Sequence, residues 1–307
     1  MRPINYSIII PHYNIPDLLT RCLRSIPIRP DIQVIVVDDC SPNADLYPQL
    51  YPEFGRKYLE WYSTPQGGSA GRARNIGLNH AMGKWVLCID ADDLFTDNME
   101  EILYEAVDRA EDILFYNYES VYSDDLNKKA DRTYLQEFFN HYKNDQNDIP
   151  FRYQFEPIWC KIIRKELIDK YNIRCDETKY SNDVGFSIKI GYFAKTIKVI
   201  DKQLFIITQR SGSLASSFFN GNKMPLSELK IRMIVAMKVQ NFLDKHNLGI
   251  EINTFNSSKK WILGNHQGLY FLLLFRYSLI YPFACKRLLD FWLSWKIKTI
   301  KKIFITA

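Results

Sequence analysis

Five carboxylates follow two short apolar runs. Asp38-Asp39 closes Gln33–Val37, and Asp90-Ala91-Asp92-Asp93 closes Trp85–Ile89. A third run, Ser7–Ile10, leads into Pro11-His12-Tyr13-Asn14. In an open parallel sheet the ligand lies beyond the carboxyl ends of the strands, so these are the positions where a site forms. Asp-x-Asp after a strand turns alternate carboxylates to one side, a spacing that grips one hard divalent cation and leaves room for phosphate oxygens. Capping of the next helix is the competing explanation, and Asp93 or Asp97 suits it. Two acid-ended strands, the second with three acids in four residues, favour a metal–phosphate site.

Gly67-Gly68-Ser69-Ala70-Gly71-Arg72-Ala73-Arg74-Asn75 enters a helix. It fits neither the dinucleotide fingerprint nor the P-loop, so a phosphate cradle and a flexible turn both stay open. Arg72 and Arg74 offer charge toward a diphosphate. His12 and His80 have no nucleophile to pair with and read as packed or hydrogen-bonded.

The elements that would position these residues alternate. The runs Ser7–Ile10, Gln33–Val37, Trp85–Ile89 and Ile113–Tyr118 are continuously apolar, as strands buried on both faces must be. Between them, Asp17–Ile26, Gly71–Met82 and Asn98–Ala110 have helical spacing. The alternation predicts an α/β domain with a Rossmann-like, doubly wound, mostly parallel sheet. A polar stretch, 120–150, contains one helix around Tyr134–Tyr142. Helical spacing is read again over Ile158–Lys170 and Asp183–Ala194, followed by two short strands, Ile197–Ile200 and Leu204–Thr208. From about residue 218 the chain reads as a helical C-terminal extension, clearest over Ser227–Asp244. The predicted division is therefore 1–217, with a nucleotide-binding half 1–100 and an acceptor half 101–217, and then 218–307.

Taken together the segments resemble glycosyltransferase family 2. Ser7–Asn14, Val34–Ser41, Gly71–Leu78, Ala81–Trp85 and Ile89–Asp93 occur in that family's order and spacing. The resemblance implies a glycosyltransferase-A type fold and inverting transfer of one sugar from a nucleotide-diphosphate donor, expected to be UDP-linked, to a glycan or lipid-linked acceptor in surface polysaccharide assembly. Position by position it implies a nucleoside pocket at Pro11, Tyr13, Asn14, Asp38 and Asp39, with Arg74, Asn75 and Asp90 near the nucleotide. It makes Asp92 the ligand of Mn²⁺ or Mg²⁺. Relatives take their catalytic base from the Asp of a Glu-Asp step, which here is Asn182-Asp183, so Asp183 is the expected base; helix capping is the competing account. Trp159, Lys161 and Arg164 fit a W-x-K-x-x-R stretch, and Arg210 a terminal R-x-G-S element, implying acceptor or diphosphate contacts. Cys40 stands where glycine is usual. No Q-x-x-R-W element of the processive synthases is present.

Charge is distributed unevenly along the 307 residues, whose formal net charge is +5. Residues 259–307 hold nine Lys or Arg against the single acid Asp290. Over Leu288–Phe304 aromatic residues interleave with lysines, which suits an interfacial helix on anionic lipid or, equally, a helix packed on the catalytic domain. The near-neutral remainder argues against nucleic acid as partner. Arg276 and Pro282 interrupt the apolar stretch near 268–275 before a membrane span accumulates. Six scattered cysteines and a first strand at Tyr6 predict free thiols, no secretory signal and a cytoplasmic location, the tail offering contact with the inner face of the plasma membrane. Two alternatives stay open: a sugar nucleotidyltransferase, and an inactive relative serving as a scaffold or glycan-binding subunit.

Overall fold

The computed structural model describes residues 3–42, 44, 59–210, 225–265, 272, 273, 275 and 276. Two compact units divide the chain, Met1–Met224 and Pro225–Ala307.

In the first unit the elements run β1 (Tyr6–His12), α1 (Pro16–Arg24), β2 (Ile32–Asp38), β3 (Leu59–Ser63), α2 (Ala70–His80), β4 (Trp85–Cys88), β5 (Leu94–Phe95), α3 (Met99–Ala106) and β6 (Ile113–Tyr122). They continue as α4 (Gln136–Asp145), α5 (Ile149–Tyr153), β7 (Lys161–Arg164), α6 (Lys165–Lys170), α7 (Val184–Phe193) and β8 (Ile197–Gln209). Every residue of β1 and β2 is buried, as expected of strands covered on both faces. Each buried Ile or Val there contributes roughly 1.5–3 kcal/mol of transfer free energy. Helix α1 begins with Pro16, whose missing N–H has no helical partner to lose, and buries Leu19, Cys22 and Leu23.

The eight strands form one sheet in the order β3-β2-β1-β4-β7-β6-β8-β5. The pairs β3–β2, β2–β1, β1–β4 and β6–β8 are parallel, whereas β7 runs antiparallel to β4 and β6, and β5 antiparallel to β8. The sheet is therefore mostly parallel, as predicted. Pro11 lies within β1, beyond the β4 pairing that ends at Ile9–Cys88. On the β4 side no ladder bond is asked of its missing N–H.

Three details differ from the sequence reading. The stretch Ile158–Lys170 is not one helix: Lys161–Arg164 is a strand and only Lys165–Lys170 is helical. Ile158, Ile162, Ile163 and Leu167 happen to recur at helical spacing, but the strand is wedged between β4 and β6 and buried on both sides, where periodicity carries no signal. The two runs at 197–208 are one strand, β8, whose pairing with β6 shifts register around Asn117; the polar Asp201-Lys202-Gln203 at the irregularity splits the apolar pattern. The two-residue β5 was too short to be read.

The second unit contains α8 (Leu226–Lys245) and α9 (Asn253–Asn265), which pack on each other. Leu229, Met233, Ala236, Met237 and Leu243 are buried at helical spacing. The turn between the helices is held by Gln240, which donates to the Ile250 carbonyl at 2.7 Å and accepts from the Ile252 amide at 3.3 Å. Among the described residues no helix is long and apolar enough to cross a membrane. The proposed interfacial segment Leu288–Phe304 lies outside the described residues.

Candidate active site

Because β1, β2 and β4 are parallel, their carboxyl ends bring His12, Asp38 and the 89–93 turn to one edge. Asp38 is buried and occupied. Its Oδ1 pairs with His12 Nδ1 at 2.9 Å and its Oδ2 accepts the Ser41 amide at 2.7 Å. His12 Nε2 accepts from the Ile15 amide at 3.2 Å, so the proton sits on Nδ1. Burial lowers the His12 pKa against the opposing pull of Asp38, keeping a neutral ring. Ser41 Oγ in turn accepts the Asn14 amide at 2.7 Å, which fixes the exposed Tyr13-Asn14 turn. Tyr13 presents its ring to solvent at 58% exposure, available for stacking. Pro11 is buried in β1.

Asp39 ties the second strand to the glycine-rich loop. Its Oδ1 accepts from Thr64 Oγ1 and its Oδ2 from the amides of Gly68 and Ser69, each at 2.8 Å. Two amides of the glycine-rich loop thus hold an internal anion, the Asp39 carboxylate, as in a turn. Cys40 adopts φ +63°, the left-handed conformation that glycine takes at least cost. Gly71 is required by proximity: a Cβ there would lie 2.1 Å from the Asp176 carbonyl oxygen.

The acidic turn sits between β4 and β5 and closes with the Asp93 amide on the Asp90 carbonyl at 3.0 Å. One carboxylate oxygen from each of Asp90, Asp92 and Asp93 falls within 4.8 Å of the others. Asp93 is 1% exposed and accepts the Thr208 amide at 2.6 Å. Burial, followed by the charges of Asp92 and Asp90, raises its pKa well above the usual carboxylate range. Three crowded hard-oxygen donors with this accumulated charge fit a divalent cation. Guanidinium groups surround them. Arg210 Nε donates to Asp92 Oδ2 at 2.8 Å, Arg74 reaches Asp90 Oδ1 at 2.5 Å, and Arg21 donates to the Asp92 carbonyl at 2.7 Å. Arg132 lies over the Trp159 ring at 5.4 Å, and burial, which would lower its pKa, is outweighed by Asp93 and its neighbours. The residues after Arg210 in its R-x-G-S element lie outside the described ones.

Asp183 immediately precedes α7, yet its side chain makes no capping bond. Instead its Oδ2 accepts the Ile158 amide at 3.2 Å. Beside it, Asn182 accepts from Arg74 Nη1 at 2.6 Å. Asn75, expected near a nucleotide, exchanges bonds with the Cys175 backbone at 2.8 and 3.1 Å, so it clamps the 175–177 segment against α2. Trp159 and Lys161, expected to contact acceptor or diphosphate, are both enclosed. Trp159 packs edge-on to Tyr118 and Phe155. Lys161 has no exposed surface and donates to the carbonyls of Phe155 and Pro157 and to Ser187 Oγ. Burial pulls its pKa down to about 7, partly opposed by Asp183. Both side chains are thus buried among protein groups. Arg21 and Arg132 were missed: the first reads as a solvated helix charge, the second falls in the unpatterned 120–150 stretch.

Residues 7–171 match the family described as Glycosyl transferase family 2. The chain belongs to this family. Among curated relatives, the glycosyltransferase is 25% identical to Glycosyltransferase GlyG of Streptococcus pneumoniae over 70% of this chain and 74% of GlyG. It is 26% identical to the poly(ribitol-phosphate) beta-N-acetylglucosaminyltransferase TarS of Staphylococcus aureus, over 78% of this chain but only 41% of TarS. The crystal structure of S. aureus TarS 1-349 in complex with UDP-GlcNAc superposes with a TM-score of 0.57 at 24% identity, covering 76% of this chain and 65% of that one. That likeness establishes the glycosyltransferase-A type fold for the mixed α/β unit.

Proposed function

We propose that the chain is an inverting transferase that moves one sugar from a UDP-linked donor to a glycan or lipid-linked acceptor in surface polysaccharide assembly. Relatives named for beta-N-acetylglucosaminyl transfer, and a TarS structure holding UDP-GlcNAc, support the donor and pathway class. The observation that carries the reading is an Asp183 carboxylate that starts α7 without capping it, oriented by Ile158 and joined through Asn182 and Arg74 to the acidic turn. Asp183 takes the proton of the acceptor hydroxyl as its oxygen bonds to the anomeric carbon. The bond from that carbon to the diphosphate breaks on the opposite face, and its electron pair leaves with UDP. Asp92, with Asp90 and Asp93, would hold Mn²⁺ or Mg²⁺, which supplies charge neutralisation to the leaving diphosphate. Tyr13 would stack on the uracil ring, and Arg210 would bind diphosphate oxygens. Contact of 259–307 with anionic lipid would bring a lipid-linked acceptor within reach.

Asp183→Asn and Asp92→Ala, assayed for transfer and for donor hydrolysis, test this. The expected result is loss of transfer in Asp183→Asn with UDP binding kept, and loss of both transfer and metal-dependent UDP binding in Asp92→Ala. Parent-like transfer by both variants would overturn the site assignment, and an absence of transferase activity in the parent would favour the scaffold reading.

A further inference from the structure

One guanidinium joins the two halves of the site. Arg74 is 4% exposed; its Nη2 meets Asp90 Oδ1 at 2.5 Å and its Nη1 meets Asn182 Oδ1 at 2.6 Å, while its Nε has no hydrogen-bond partner. The Asn182 side chain is anchored in turn, its Nδ2 donating to the Thr178 carbonyl at 3.3 Å and its backbone carbonyl accepting the Asp176 amide at 2.8 Å. Helix α2 approaches that loop so closely that only glycine fits at Gly71, where a Cβ would also meet Asn182 Cβ at 2.9 Å. The bridge is therefore built on a fixed backbone contact. Its chemistry is asymmetric: one end of the fork rests on a carboxylate, the other on a neutral amide.

We infer that Arg74 is a positioning residue that sets the spacing between the acidic turn and Asp183, and that the uncharged Asn182 leaves part of its positive charge directed at Asp183. This rests on Asp183 being the base. Burial works against the charge on Arg74, and Asp90 and Asp183 more than compensate, holding it firmly protonated. Among the described residues, the other titratable groups that interact with Asp183 include Lys161 on β7, Tyr134 before α4, Cys88 at the end of β4, and Cys175. Of these only Lys161 brings positive charge. A carboxylate at position 182 would neutralise the free end of the Arg74 fork and place a like charge beside the base.

The test is the pH dependence of kcat/KM at saturating Mn²⁺ for the parent, Asn182→Asp, Asn182→Glu and Asn182→Ser, with melting temperatures to verify folding. In the two carboxylate variants the acidic limb moves upward by about one pH unit, so that activity on that limb falls about tenfold. In Asn182→Ser the limb stays in place and kcat falls about tenfold, because the bridge is cut without new charge. Carboxylate variants whose limbs superimpose on the parent's overturn the inference. So does an equal loss at every pH in all three variants, which is the mark of packing alone. Asp183→Asn run alongside separates the two levels: if it keeps the parent's rate, the base assignment itself fails, whatever the 182 variants do.

Discussion

Replacing Lys161 by Met removes a buried ammonium, and the structure dictates how stability should then respond to pH. The group is fully enclosed, and burial brings its pKa from 10.5 to about 7. In the unfolded chain the amine stays protonated across this range, so between pH 7 and 10.5 the unfolded state binds more protons and stability rises with pH. Below pH 7 both states are charged and the fold carries the whole penalty, about 5 kcal/mol from a shift of this size. The useful window is pH 7 to 8.5. Beneath it His12, whose folded pKa is lowered, begins to contribute; above it the thiols of Cys22, Cys88, Cys160 and Cys175, all raised by burial, pull stability the other way. Across that window Lys161 should add about 2 kcal/mol to the parent relative to Lys161→Met. Equilibrium denaturation of both proteins in guanidinium chloride, followed by tryptophan fluorescence at several pH values, measures the difference, and the shared thiol contributions cancel in it. Parallel stability curves for the two proteins would show instead that the Lys161 amine is not charged at a cost in the fold.

Other outcomes follow from close contacts and ion pairs. Gly71→Ala must displace either α2 or the Asp176 carbonyl 2.1 Å from its Cβ, so a loss of several kcal/mol in denaturation is expected, together with reduced transfer because Asn182 moves with that loop. Arg210→Gln removes the guanidinium paired with Asp92 and should raise the donor KM at least tenfold while leaving the melting temperature of the donor-free protein within a few degrees, this pair being partly exposed. Cys40→Gly relieves a left-handed φ of +63° and should change stability by no more than about 1 kcal/mol, in the stabilising direction, by thermal denaturation.

The legible parts of the molecule were those where composition has one physical meaning. Continuous apolar runs such as Ile8-Ile9-Ile10 and Val34–Val37 can satisfy only a strand covered on both faces, and all of these residues are buried. The acids after such runs necessarily meet at the sheet's edge, which made the 90–93 turn readable before any geometry. Residue roles were less legible than residue positions. Asp38 and Asp39, expected to face a nucleoside, hold His12, Ser41, Thr64 and the 68–69 amides; a carboxylate that organises loops has the same signature in sequence as one that binds a base. Trp159 and Lys161 showed the reverse problem, since an enclosed lysine satisfied by main-chain carbonyls cannot be told from a ligand-facing one until its neighbours are known. Arg21 and Arg132 carry no local pattern at all, because their partners are about 70 and 40 residues distant in the chain.

Whether the acidic turn holds a diphosphate through a metal ion is tested most directly by calorimetric titration of UDP into the parent and Asp92→Ala, each with Mn²⁺ and with chelator. Tight binding is expected only for the parent with metal, weakened at least tenfold by chelation or by the substitution. Equal UDP affinity in all four titrations would contradict this, because the diphosphate would then be held without the cation proposed at Asp90, Asp92 and Asp93.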